Sequence, residues 1–577
     1  MANIEYTRKK SNTGWVIGGA IIFVALSISL LLTILYPFAS TEKTAYFTGK
    51  SPILYKGKQV GNAFVEGETV YIPVSFLTNK LDKSIIVDQK SSSIIVTTKD
   101  KVIQMPVESL TYYVNAKPVD IQIPIAKFKD QEWYIAIDPL LSFYPIQYKQ
   151  LKETGAILIQ QSGEKTTNAL VNGKEVNLEL LRLRSEPTLQ SPYVANSSYK
   201  EEITIENETG DFYFVRKSNG IAGYLQKEYV DKKGEITISI EHPDTPAKLT
   251  KINGPIHLTW EAVYTKNPNH ALISEMSGVN VVSPTWFKLN NKQGGIANLA
   301  SLDYSKWAKG RGYQVWGLFS NDFNPEMTHE AFKDFETRQT IIRQLLHFAQ
   351  MYELDGINFD IENVAVKDGP FVTQLLREAT PYLHAAGLTV SMDITFISGS
   401  GNWSAFYERD ELSKIVDYMV VMAYDEHWGS SPVAGSVASL PWVEEHLQKL
   451  LQVVPNERLI LGVPLYTRLW KEEQLEDGQV KVTSEALSMS KAKEWIASKG
   501  ITPVYDDASG QNYVEFYSEQ EKITYKIWIE DELSLGKRAE LSKKYSLAGI
   551  ATWSRYFADE TAWVALRLDE QKDVTKK

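Results

Sequence analysis

Between residues 255 and 565 the chain alternates eight short apolar runs with amphipathic helical stretches, and few folds can absorb that pattern. The runs cover 256–264, 279–289, 314–320, 356–361, 388–395, 418–424, 459–465 and 549–553, with helical stretches such as 336–351 and 369–386 between them. Parallel strands need long crossovers, and helices supply them. Eight such units close as a (β/α)8 barrel, an α/β fold. A doubly wound sheet is the other solution, but no Gly-rich phosphate loop follows any of the runs. A long stretch separates the seventh run from the eighth, with strand-like pieces at 513–516 and 523–528. A small α+β insertion over about residues 470–540, lining the cleft, is expected there.

The N-terminus carries a different signal. Residues 15–38 (WVIGGAIIFVALSISLLLTILYPF) hold no charge, and Arg8, Lys9 and Lys10 precede them. A helix of that length spans roughly 36 Å, enough for a ~30 Å hydrocarbon core. The basic head favours residues 1–14 inside and the rest of the chain outside. A cleaved secretory signal is the rival reading; its apolar part is usually about 7–15 residues, and Ala39-Ser40-Thr41 is a poor cleavage site.

Composition narrows the partners. The 577-residue chain is 43% hydrophobic and 23% charged, with 61 Lys and Arg against 71 Asp and Glu. That net charge of −10 offers no basic face, so no nucleic acid is expected. Cysteine is absent and the eight histidines are scattered, which removes thiolate chemistry and paired zinc ligands. No metal and no cofactor are expected.

Two accessory modules precede the barrel. In residues 45–165 the run 70–77 (VYIPVSFL) is echoed at 133–140 (WYIAIDPL), each an apolar strand leading into a short helix. This small α+β module resembles the copper-amine-oxidase N-terminal-like domain, an accessory unit; no His cluster here would hold copper. Residues 168–245 hold short strands and many turns, with LRSEPT at 183–188, FYFVR at 212–216 and GIAGYL at 220–225. They resemble a bacterial Src-homology-3-like domain, a small β-barrel often joined to cell-wall hydrolases. Pro243, Pro246 and Pro255 mark 241–255 as a linker.

The chemistry concentrates on the fourth strand, which ends DGINFDIEN over 355–363. A period of two places Asn358, Asp360 and Glu362 on one face, toward the barrel axis. Two carboxylates stacked there cannot both ionise cheaply, so one keeps a proton, as a general acid must. The pattern resembles family 18 glycoside hydrolases, whose fourth strand reads DGxDxDxE. Asp355, Gly356, Asp360 and Glu362 match it, and Asn358 departs from it. Met422-Ala423-Tyr424-Asp425 ends the sixth strand like the family's MxYD, and 549–553 (GIATW) closes the eighth, where the family places a Trp under the sugar. Ser283 to Phe287 (SPTWF) and Gly510 to Tyr513 (GQNY) resemble the bacterial cell-wall and spore-cortex glucosaminidases.

That resemblance implies retaining hydrolysis of β-1,4 bonds after N-acetylglucosamine, with the substrate's acetamido oxygen as nucleophile. Glu362 would be the acid and then the base. Asp360 would orient the acetamido N–H, with Asn358 within hydrogen-bond reach of it; Tyr424 would bond the acetamido oxygen, Asp425 would position the sugar, and Trp553 would floor it. Trp286, Trp316 and Trp428 are candidate cleft residues, with core packing the alternative for each. Peptidoglycan in the cell wall is the expected substrate, chitin the alternative, and a non-catalytic wall-binding protein the reading from another class.

Overall fold

The computed structural model describes residues 13–35, 39–241, 252 and 254–568. Most of the 241–255 linker and residues 1–12 and 36–38 lie outside the described residues. An α-helix covers Thr13–Leu35. Within it, Gly14–Leu32 is long and apolar enough to cross a membrane.

The chain beyond residue 39 divides into two compact units. One takes 39–83 and 124–241, the other 84–123 and the described residues from 252 onward. In the first unit the sequence echo is visible as structure. Strand Thr69–Pro73 runs directly into helix Val74–Lys80, and Glu132–Ala136 into Ile137–Leu140. The two strands pair antiparallel, Ile72 opposite Ile135. The stretch expected to be a small barrel is a seven-stranded antiparallel sheet, starting at Lys165–Val171 and ending at Val230–Thr237.

The second unit holds the expected barrel. Its strands are β1 (Ile256–Glu261), β2 (Val281–Pro284), β3 (Gln314–Ser320), β4 (Gly356–Asp360), β5 (Thr389–Thr395), β6 (Tyr418–Met422), β7 (Leu459–Pro464) and β8 (Gly549–Trp553). Each pairs in parallel with its neighbours, and β1 with β8 closes the ring. Burial on both faces explains why these strands read as unbroken apolar runs. Leu258, Trp260, Val281, Trp316, Leu318, Val420, Ile460 and Ala551 fill the interior. Two glycines make room for the ring to close. A Cβ on Gly549 would lie 2.0 Å from the Ile256 carbonyl, and one on Gly356 would lie 2.8 Å from that of Thr389.

Between β7 and β8 a five-stranded antiparallel sheet runs from Tyr466–Gln474 to Ile523–Ile529 with helix Met489–Lys499. The insertion is as expected, but none of its residues lines the cleft among the described residues. It reaches the site through Tyr466, which touches both Tyr424 and Asp425, and through Arg468, which pairs with Asp425.

The same unit includes a second sheet, whose strands lie between Ile86–Asp88 and Lys117–Asp120. It packs on the barrel helix Phe335–Met351. Ile95 and Val102 meet Phe335, Lys90 pairs with Asp334 at 2.8 Å, and the Phe335 N–H donates to Asp88 Oδ1 at 2.9 Å.

Candidate active site

The C-terminal ends of the strands open on a cleft of about 960 Å³. Asp360 ends β4 and Glu362 follows two residues later, and both face into this cleft. The first part of the acidic motif is scaffolding. Asp355 accepts the Val315 N–H at 2.9 Å and pairs with Lys309 at 3.3 Å, which sets β4 against β3.

Asn358 is fully buried and uses its whole amide. Its Oδ1 accepts from Trp260 Nε1 at 2.9 Å and Ser283 Oγ at 3.0 Å; its Nδ2 donates to Ser391 Oγ at 3.0 Å and Asp393 Oδ1 at 2.7 Å. The inward face read from the alternation is therefore occupied, but the expected bond from Asn358 to Asp360 is not made. Its donors point to β5 because the indole N–H already claims the carbonyl side.

No lysine or arginine lines the cleft among the described residues. Burial pushes the Asp360 carboxyl up to about 7, opposed by a hydrogen bond from Glu362. Glu362 is raised well above the usual carboxylate range, by burial first and then by the charges of Asp360 and Asp425. The pair thus keeps a proton between its two carboxyls, with Glu362 the more strongly raised of the two. Asp360 Oδ1 has no donor among the described residues. The backbone under Glu362 is clamped: Asn321 Oδ1 accepts its N–H at 3.1 Å and Asn321 Nδ2 donates to its carbonyl at 2.7 Å. Tyr407 donates to the Ile361 carbonyl at 2.9 Å.

Tyr424 and Asp425 follow β6. The Tyr424 ring sits edge-on to Tyr466, centroids 6.4 Å apart, and burial raises its phenol pKa. Asp425 is exposed and left-handed at φ 60°; its Oδ1 accepts from Tyr466 at 2.5 Å and Arg468 at 3.4 Å. Phe323 in the cleft lining shares that conformation, as do its neighbour Asp322 and Asn363, which follows Glu362 and donates to the Phe323 carbonyl at 2.9 Å. Such strained backbone gathers at sites where the surroundings fix it.

Residues 320–558 match the model of the glycosyl hydrolases family 18. The barrel is a family 18 glycoside hydrolase domain. Residues 55–159 match the copper amine oxidase N-terminal domain. Among curated proteins, the chain is 25% identical over 287 residues to the uncharacterized glycosylase YvbX of Bacillus subtilis, covering 48% of this chain and 80% of that one. It is 24% identical over 317 residues to the putative sporulation-specific glycosylase YdhD of the same organism, covering 54% and 69%. Over 243 residues it is 27% identical to the cortical fragment-lytic enzyme of Bacillus anthracis, covering 41% of this chain and just 55% of that enzyme.

The family 18 cleft takes in some tryptophans picked from the sequence and leaves out others. Trp553 lines it, packed 5.9 Å from Trp260, and so does Trp428, 52% exposed. Trp286 and Trp316 do not: both are completely buried. Trp316 stacks on Tyr418 inside the barrel, and Trp286 packs against Phe287 and Tyr304 outside it. Position in sequence beside a motif could not show which side of its strand each faced. The sequence reading also missed Trp403, Phe323, Phe396, Trp442 and Asp393, all in the lining. For Asp393 a signal existed, since Ser391, Asp393 and Thr395 alternate on β5 as Asn358 and Asp360 do on β4. Phe323 and Phe396 come from loops, Trp403 from the short helical turn Gly401–Ala405 and Trp442 from helix Leu440–Leu450, where no period marks them.

Proposed function

We propose that the domain hydrolyses β-1,4 bonds next to N-acetylglucosamine in a glycan polymer, with retention and with the substrate's own acetamido group as nucleophile. The observation that carries this reading is the Asp360–Glu362 pair, half-buried at the cleft with no lysine or arginine among the described lining residues to hold both ionised. Glu362 would give its proton to the glycosidic oxygen as the C1–O bond breaks and the acetamido oxygen closes on C1. Asp360, whose Oδ1 lacks a donor, would accept the acetamido N–H and face the positive charge formed there. Tyr424 would donate to the acetamido oxygen and Asp425 would hold the sugar. Water then attacks C1 as the bond from C1 to the acetamido oxygen breaks, its proton passes to Glu362, and both the acetamido group and the acid are restored. Trp553 offers an apolar floor for the ring.

Peptidoglycan is the substrate favoured by the curated relatives, whose names specify cortical fragments and sporulation. The apolar N-terminal helix supports an anchored protein with its catalytic domain outside the membrane, and residues 45–83 with 124–241 support a stalk in contact with the wall. Chitin is the second reading, and the lining favours it. Asp360, Glu362, Asp393, Asp425 and Glu426 face the cleft with His446 and no lysine or arginine among the described residues. Carboxylates on a bound glycan would be repelled there.

Digestion by the purified full-length protein, with products read by mass spectrometry, tests both. New reducing-end N-acetylglucosamine from peptidoglycan, lost in Glu362→Gln, supports a wall glucosaminidase. Cleavage of chitin oligomers alone supports a chitinase, and binding without cleavage of either defeats the hydrolase reading.

A further inference from the structure

We propose that Asp393 is a positioning residue for the catalytic proton, filling from β5 the place that an aspartate at position 358 would fill on β4. This rests on the hydrolase reading above. The strand register supplies the geometry. Asn358 pairs with Ser391 and Phe359 with Met392, so the next step along the same ladder sets Asp360 beside Asp393. Neighbouring strands lie about 4.8 Å apart, and residues in register project to the same face.

The amide at 358 and the acid at 393 are complementary. With the Trp260 indole and the Ser283 hydroxyl fixing its carbonyl, Asn358 can only donate toward Asp393, at 2.7 Å. An aspartate at 358 would place two carboxyl oxygens at that separation, and like charges so close cannot both ionise. Only one of the two positions can hold an acid without forcing a shared proton, and here the acid stands on β5.

Asp393 is 1% exposed and lines the floor of the cleft. The groups that face it are acids and phenols: Asp360 and Glu362 from the β4 end, Tyr424 after β6, and Tyr407. The guanidinium on that side, Arg409, is bonded to the carbonyls of Thr395, Phe396 and Ser404. Its charge enters no contact with Asp393. Burial and the charge of Asp360 both raise the Asp393 carboxyl, with the Asn358 amide opposing them.

Three carboxyls grouped at one end of the barrel, with no lysine or arginine among the described lining residues, hold their protons in common. A negative charge on any one makes the next proton harder to lose, so the last proton leaves a set of three at a higher pH than it leaves a set of two. Asp393 thereby keeps the proton on Glu362 until it is passed to the glycosidic oxygen. It gives no proton to the sugar itself.

The test is steady-state hydrolysis of an N-acetylglucosamine oligomer by the full-length protein across pH. Asparagine at 393 keeps the shape and can still accept from Asn358, so Asp393→Asn removes the acid and leaves the hydrogen bond. The variant is expected to lose about tenfold or more in kcat, to keep KM within about twofold, and to show its alkaline limb at lower pH. Adding Asn358→Asp to it returns one acid to the pair, from the other strand, and is expected to recover most of kcat and move the limb back. A wild-type kcat and profile in Asp393→Asn overturns the proposal, as does a double variant no better than the single one. Should Asp393→Asn not fold, Asn358→Asp alone serves: an upward move of the alkaline limb supports the shared set, and an unmoved limb overturns it. Failure of the wild-type protein to cleave any such glycan would instead sink the hydrolase reading, and this inference with it.

Discussion

Glu362, half-buried at the cleft, and Glu378, in the barrel's helical layer, are treated by the fold in opposite ways. Glu378, on helix Gly369–Ala385, is completely shielded and fully answered. Arg338 grips both its oxygens at 3.0 and 2.7 Å, and Gln339 and Gln374 donate at 3.2 and 2.9 Å. Glu362 has no cation and shares its pocket with other acids. A buried carboxylate kept for structure is neutralised in place, because removing a charge from water is expensive unless a partner replaces the water. A carboxyl kept for proton transfer is left unneutralised, so that the protein's own burial holds the proton on it.

The comparison can be broken first at Glu362. Replacing it with Gln is expected to lower kcat by ~10²–10⁴, with oligosaccharide binding retained by calorimetry. An active Glu362→Gln enzyme would end the contrast. The reverse expectation holds at Glu378, where Glu378→Ala strands Arg338. That is expected to remove ~3–5 kcal/mol of stability. On a domain this size, the thermal midpoint would fall by about 10 °C. Kcat of the folded fraction should stay near wild type, and scanning calorimetry beside activity reads both.

A smaller effect sharpens the split between cleft and core among the tryptophans. Trp428→Ala and Trp403→Ala each remove an exposed ring worth ~0.5–1.5 kcal/mol to a stacked sugar, so KM is expected to rise about fivefold without loss of stability. Trp316→Ala should do the opposite, destabilising by ~3–5 kcal/mol.

The smallest effect is in pH. The Asp360 carboxyl is raised from the ordinary range to about 7. A raised carboxyl binds its proton more tightly when folded, so its contribution is complete below the unfolded value and is lost as pH climbs through about 7. Asp360→Asn should therefore match the wild type at pH 4 and melt higher at pH 8, by a few degrees. A melting difference that is the same at both pH values would contradict the raised carboxyl.

The sequence disclosed the barrel because parallel strands covered on both faces must be apolar throughout, and all eight runs became strands. It disclosed Asp360 and Glu362 because acids on alternate positions of such a strand have no structural use. Asp393 escaped although Ser391, Asp393 and Thr395 alternate on β5, because it is the one acid of that strand and its acidic neighbours stand on β4, a relation that the register supplies. Trp286 and Trp316 misled because a large ring beside a motif suits core and cleft equally, and burial alone separates them. The extent of the insertion was legible, but that it backs Tyr424 and Asp425 without itself lining the cleft was not, since a sheet's own pattern says nothing of what it faces.

The sheet between residues 86 and 120 bears on where this catalytic domain begins. The first N–H groups of a helix have no partner within it, and for helix Phe335–Met351 the Phe335 N–H finds its acceptor in Asp88, far upstream in the chain. The helix start is thus capped by a segment that a boundary drawn at residue 255 would discard. By its hydrogen bonds, the enzyme reaches back to Asp88, and a gene fragment cut at the barrel would encode a helix without its cap.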